Sequence, residues 1–413
     1  MKLDIEQDRL AAELDALGAI SQEPLPVVTR VVFTEADVEA RNFVKKLCQE
    51  AGLAVREDAV GNTFARWMGE NPDLEPVATG SHIDAIPHAG RFDGTVGVLG
   101  ALEAIRALMR ADYRPHRCIE LVIFTSEEPT RFGIGCLGSR LLTGRLDPET
   151  AGAMKDRDGV SLDDARWAAG FEASLASVPL APGYYAAFVE LHIEQGPLLE
   201  RHNVPIGVVT AIAAPASLRI VIQGEGGHAG AVLMPDRHDA FLAAAEIALA
   251  VEQAAQSSGS IDTVGTTGVC DVFPGAVNSV PSRVRMEIDV RDIDEDRRDA
   301  ALHKIKLACE EIANRRGVQT NLEIVNADSP AHCDPRVLEA LIESCKIHNL
   351  PFERMISRAY HDSLFMSRIA PTAMLFIPCR NGVSHRPDEY ASPEAMAQGA
   401  LALAETLAHL AAI

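Results

Sequence analysis

Apolar positions along the chain follow two alternating rhythms. Residues 8–18 and 36–51 repeat at the three-to-four spacing of amphipathic helices, and a longer helix is expected over 96–109. The apolar run at 76–79 and the continuous run at 118–124 have the length of strands. Such alternation predicts an α/β sheet with helices on its faces. The stretch 145–175 is polar and poor in β-branched residues, so it reads as a small helical excursion leading to a strand over 186–194.

The order changes between 211 and 329. Strand 218–226, helix 236–258, strands 263–273 and 282–294, helix 295–317 and strand 320–326 spell β-α-β-β-α-β, a split ferredoxin-like unit able to fold around its own core. It reads as a domain inserted between two parts of a first domain, 1–210 and 330–413. The last part supplies a helix near 335–348, a strand at 373–379 and a terminal helix whose start is marked by Ser392 as N-cap and Pro393 at the first helical position.

Composition narrows the function classes. Hydrophobic residues make up 47% and charged residues 23% of 413, enough apolar surface for a folded globular chain. The net charge of -21 repels phosphate backbones and anionic lipids, so no nucleic-acid or membrane partner is expected. No run approaches the ~20 apolar residues of a membrane helix, and the acidic, amphipathic N-terminal segment points to a cytoplasmic protein. The eight cysteines lie far apart with no Cys-x-x-Cys pair, which fits buried thiols better than a disulfide framework or a thiolate metal site.

Candidate chemistry gathers at strand ends. His82 and Asp84 alternate in extended chain, so the Asp84 carboxylate can reach the His82 ring and fix its tautomer for metal binding. Asp93 sits in a glycine-rich turn opening a helix, which suits either a bridging carboxylate or an ordinary cap. Glu127 and Glu128 close the buried run 118–124; two adjacent carboxylates there call for a cation, unless the segment is a solvated acidic loop. Glu190, His192 and Glu194 share one face of a strand and give His192 possible carboxylate partners. His385 occupies a loop after another strand. Either histidine alone is more often structural than a ligand. Together these His and carboxylate groups fit manganese, zinc, cobalt or nickel.

The segments GSHIDAIPHAGRFDG, TSEEPTRFGIGCLGS, ELHIEQGPLLE, GGHAGAVLMPDRHDA, PGAVNSVPSRVRMEIDVRD, YHDSLFM and SHRPDEY, in this order, resemble the amidohydrolase and carbamoylase branch of the dinuclear metallopeptidase-like hydrolases. The resemblance covers nearly the whole chain. It implies a mixed-sheet catalytic domain with an inserted ferredoxin-like lid that dimerises. It further implies two divalent ions, manganese foremost, with Asp93 bridging them, His82 and His192 completing one, and Glu128 and His385 the other. Glu127 becomes the general base, assisted by Asp84. His228, reaching over from a partner subunit of a homodimer, stabilises the oxyanion, while Gln195, Asn278, Arg291, Tyr360 and His361 hold a small ureido substrate.

Within the branch, 357–366 and 211–217 are most similar to the members that act on (S)-ureidoglycolate. There Tyr360 would narrow the pocket against an α-hydroxyl, where many carbamoylases have glycine. The expected reaction is cleavage of the ureido group to glyoxylate, ammonia and carbon dioxide in purine catabolism. N-carbamoyl-L-amino acids and allantoate are the alternative substrates. A non-catalytic dimeric binding protein is the alternative of another class, disfavoured by the intact Glu127 and ligand set.

Overall fold

The computed structural model describes residues 2–412. The chain divides into two compact units, Met1–Thr210 with Cys333–Ser357 and His361–Ile413, and Ala211–His332 with Arg358–Tyr360. The second unit thus runs three residues beyond the expected boundary at 329 and also takes in a short excursion at 358–360.

In the first unit the strands Thr372–Ile377, Ala187–Ile193, Val77–His82 and Ile119–Phe124 lie side by side and parallel. Every residue of these four strands is buried. That explains why apolar residues fill most of their positions, since a parallel strand covered on both faces has no solvent side to leave polar, while Glu120, Glu190 and His192 are buried among them. Helices Thr95–Arg110 and Pro393–Ala411 pack together on the sheet, the latter capped by Ser392 as expected. A second apolar cluster under 132–180 includes Phe124, Phe188, Leu141, Leu162 and Tyr185.

Antiparallel strands flank the parallel centre, Thr63–Trp67 and Ala54–Glu57 on one side and Ile206–Ile212 on the other, where Phe352–Ser357 pairs next to it. Sequence patterning misses these four strands. Ala54–Glu57 is almost entirely exposed or half-buried, so it carries no apolar rhythm. The strand expected at 76–79 continues through Gly80 and Ser81 to His82.

The second unit has the expected order. Strands Ala214–Gln223, Val264–Phe273, Arg283–Asp292 and Gln319–Ala327 form one antiparallel sheet with helices Ala240–Gln256 and Glu295–Arg316 packed on it. Asp239 and Asp294 cap the two helices through backbone N–H groups, and Gly317 ends the second in the left-handed region. A two-residue ribbon pairs Gly227–His228 with Ser279–Val280. Seven of the eight cysteines are buried; Cys270 is exposed. No helix among the described residues is long and apolar enough to cross a membrane.

Candidate metal centre

The parallel strands deliver their carboxyl ends to one place, where ligands of open α/β sheets characteristically sit. His82 is the last residue of its strand and pairs in register with Phe124, after which the chain turns through Ser126 into Glu127 and Glu128. His192 lies one residue before the end of its strand, level with Phe376. His385 follows the strand ending at Ile377, in the loop before the terminal helix.

Asp93 stands between them. Its Oδ1 lies 3.4 Å from His82 Nε2 and 3.2 Å from His192 Nε2, and its Oδ2 lies 3.5 Å from His385 Nε2. His385 Nε2 is in turn 3.1 Å from Glu128 Oε1. One carboxylate oxygen therefore faces each of two donor sets, and the groups His82–Asp93–His192 and Asp93–Glu128–His385 are each tight enough to hold an ion. Asp93 caps no helix: the N-cap of Thr95–Arg110 is Gly94, at φ 65° and in van der Waals range of the His82 ring, where any Cβ would lie 2.5 Å from that ring. Only glycine lets the turn pass so close.

The histidines are oriented through backbone carbonyls. His82 Nδ1 lies 3.1 Å from the Asp84 carbonyl, and His192 Nδ1 lies 2.9 Å from the Ile193 carbonyl. Donation from Nδ1 leaves each Nε2 as the acceptor on the Asp93 side, where His192 Nε2 also takes the Gly94 N–H at 3.1 Å. Here the structure corrects two expectations. The Asp84 carboxylate is 3.6 Å from the His82 ring and instead accepts the backbone N–H groups of Glu127 and Glu128 at 3.1 Å each. Glu190 and Glu194 do not serve His192: Glu190 accepts Ser81 Oγ and Ser363, and Glu194 accepts the N–H groups of Leu198 and Leu199. An alternating strand places side chains on one face but does not choose their partners.

The electrostatics are those of a cation site. Burial would push the His82 ring down, yet Glu127, Asp84 and Asp93 hold it well above its ordinary range. Asp93, despite burial, is held well below the usual carboxylate range by His192 and His82. Burial, with Glu128, Asp362 and Asp93 adding to it against His82, holds Glu127 well above. His385 rises to about 9, chiefly through its hydrogen bond to Glu128. Protons drawn to this cluster stand where divalent cations would neutralise the same carboxylates, and the thiolate-free donor set suits them.

A third group, Glu190–His192–His361, also meets the distance requirement. Its Glu190 oxygens are already engaged by Ser81 and Ser363, and His361 pairs with Ser357 Oγ at 3.0 Å. It reads as a supporting layer.

Gln195, expected at the substrate, donates Nε2 to Asp93 Oδ2 at 2.5 Å, from a left-handed backbone position. His361 is buried with its ring centroid 4.6 Å from that of His192. The other expected substrate residues belong to the second unit. His228 and Asn278 are neighbours on the ribbon, with Ala229 N donating to the Asn278 carbonyl, and both are exposed. Tyr360 lies beneath the Arg291 guanidinium, 5.6 Å from ring centroid to Cζ. The Arg291 fork rests on the Asp289 carboxylate at 2.7 and 3.3 Å, and its Nη1 points to the Arg358 carbonyl. Glu389 and Ser384 carry no local mark in the segment SHRPDEY that contains them, because their partners lie almost three hundred positions away.

Fold and donor set together define a metal-dependent hydrolase built on a mixed α/β sheet. The chain belongs to peptidase family M20/M25/M40, whose pattern matches residues 78–409. It is 54% identical to the ureidoglycolate hydrolase of Oryza sativa subsp. japonica, over 98% of this chain and 85% of that one. It is 38% identical to the N-carbamoyl-L-amino acid amidohydrolase of Geobacillus stearothermophilus, over 98% and 99%. The crystal structure of AtUAH in complex with (S)-hydroxyglycine superimposes with a TM-score of 0.92 at 54% identity, covering 99% of this chain and 98% of that one.

Proposed function

We propose that this chain hydrolyses the ureido group of (S)-ureidoglycolate, giving glyoxylate, ammonia and carbon dioxide in purine catabolism. The observation that carries the chemistry is the division of Asp93, one oxygen toward His82 and His192 and the other toward His385 beside Glu128. Two divalent ions held there, manganese foremost, would polarise the ureido carbonyl and activate a water for attack. Glu127, 8% exposed and 3.8 Å from His82, takes the proton from that water and returns it to the departing nitrogen. Asp84 keeps Glu127 in place through its backbone.

The relatives support the substrate. Hydrolysis of the terminal C–N bond of ureidoglycolate leaves ammonia and a carbamate; loss of carbon dioxide gives hydroxyglycine, which releases a second ammonia to form glyoxylate. AtUAH has been solved with (S)-hydroxyglycine and also with glyoxylate, the last two species of that sequence. In this reading Gln195 and His361 hold the substrate. Tyr360 is assigned to the α-hydroxyl, and Asn278 and Arg291 to the carboxylate, Arg291 turning part of its fork from Asp289. His228 from the partner of a cytoplasmic homodimer steadies the oxyanion.

The 38% identity to an N-carbamoyl-L-amino acid amidohydrolase supports the second reading, the same chemistry on a bulkier carbamoyl substrate. Turnover of (S)-ureidoglycolate, allantoate and an N-carbamoyl-L-amino acid by the manganese-loaded protein separates the two. We expect kcat/KM to favour (S)-ureidoglycolate by about a hundredfold or more, as a site built around a polar group allows. Preference for the carbamoyl amino acid would overturn the first reading.

A further inference from the structure

The two donor sets are built differently. His82 and His192 are strand residues with side chains 2% and 0% exposed, held rigidly by the sheet. His385 is a loop residue, its side chain 45% exposed and its backbone at φ 59°, a conformation that a side-chain-bearing residue keeps only when its surroundings enforce it. Something other than the sheet must hold the second set in place.

We propose that Glu389 is the positioning residue that does so, tying the loop of Asp93 to the loop of His385 so that the Glu128–His385 position depends on it. Glu389 is buried, 4% exposed, and its carboxylate reaches both loops. Oε1 accepts the backbone N–H groups of Phe92 at 2.7 Å and Asp93 at 3.0 Å. Oε2 accepts the N–H of His385 at 3.3 Å and lies 2.9 Å from Ser384 Oγ. Ser384 Oγ stands 2.5 Å from Asp93 Oδ2, so its one hydroxyl proton lies between the bridging carboxylate and Glu389. The approach is close enough that a Cβ on Gly90 would fall 2.3 Å from that of Glu389. Removing Glu389 frees the backbone on both sides of the second set and touches neither His82 nor His192. Asp93 is shared by both ions, but only the second set also loses its hold on a loop histidine, so the second ion weakens more.

This inference rests on the two-ion reading, and the test separates them. Metal-free wild type, Glu389→Ala, Glu389→Gln and Ser384→Ala are titrated with manganese by calorimetry and with cobalt by visible absorption, alongside thermal unfolding. Wild type should bind two ions per subunit. Glu389→Ala should keep the tight ion and weaken the second 10- to 100-fold, the usual cost of losing a group that orients metal ligands. Glu389→Gln, whose amide oxygen can still accept from one pair of N–H groups, and Ser384→Ala should show a smaller change in the same direction. Equal weakening of both ions in Glu389→Ala, or an unchanged second ion, overturns the proposal. If Glu389→Ala does not fold, an unchanged second ion in both Glu389→Gln and Ser384→Ala overturns it. A single ion in wild type overturns the two-ion reading and the proposal with it.

Discussion

The carboxylate of Asp84 accepts the backbone N–H of Glu127 at 3.1 Å, and its other oxygen accepts that of Glu128 at the same distance. Asp84 therefore governs where the acidic pair points. In Asp84→Asn an amide N–H faces one of those donors, and the turn must shift. Displacing a reacting group by about 1 Å can cost about 10²-fold in rate. The variant should lose roughly that factor in kcat, with little change in KM or in thermal unfolding. Steady-state kinetics giving a wild-type kcat would contradict this role.

Loading of the Glu128–His385 position should depend on pH. Without bound cations the His385 ring titrates at about 9, raised first by its hydrogen bond to Glu128. Below that pH a metal must displace its proton, so affinity there rises with pH toward about 9 and then levels off. The slope approaches about tenfold per unit. Manganese titrations at pH 6 and pH 8 should differ by up to about a hundredfold for the second ion; equal affinities would count against a ligand role for His385.

Arg30 offers a stability test. Its buried guanidinium donates to the carbonyls of Leu17 and Ile20, closing the first helix, and to the Ile83 carbonyl beside His82. Arg30→Met leaves these acceptors without their partner, at about 1–3 kcal/mol for each that stays unsatisfied. Unfolding in guanidinium chloride should show a loss of roughly 3 kcal/mol. An unchanged midpoint would remove Arg30 from this account.

Substrate choice is expected to turn on Tyr360, the ring under Arg291. Replacement by glycine removes both the phenol and the bulk. In Tyr360→Gly, kcat/KM for (S)-ureidoglycolate should fall and that for an N-carbamoyl-L-amino acid should rise, narrowing their ratio by about 10²-fold. A ratio equal to that of wild type would place the specificity elsewhere.

The sequence reveals the parallel core and the inserted unit because their periodicity is physical: strands buried on both faces are mostly apolar, and amphipathic helices must repeat near 3.6. His82, Glu127 and Glu128 are legible for a related reason, since polar groups at the end of a buried strand demand partners. His385 and Asp93 depend on the family pattern, because nothing local distinguishes a ligand in a loop from a solvated one. Partner choice is hidden altogether. Alternation puts Asp84 on the face of His82, but tertiary packing sends its carboxylate to Glu127 and Glu128. The tie through Glu389 joins segments almost three hundred residues apart, a distance no local pattern spans.

Anomalous diffraction from manganese-loaded crystals tests the central claim most directly. Two peaks per subunit are expected about 3.5–4 Å apart, one bounded by His82 and His192, the other by Glu128 and His385, with Asp93 touching both. A single peak, or a peak seated on Glu190, His192 and His361, would contradict it.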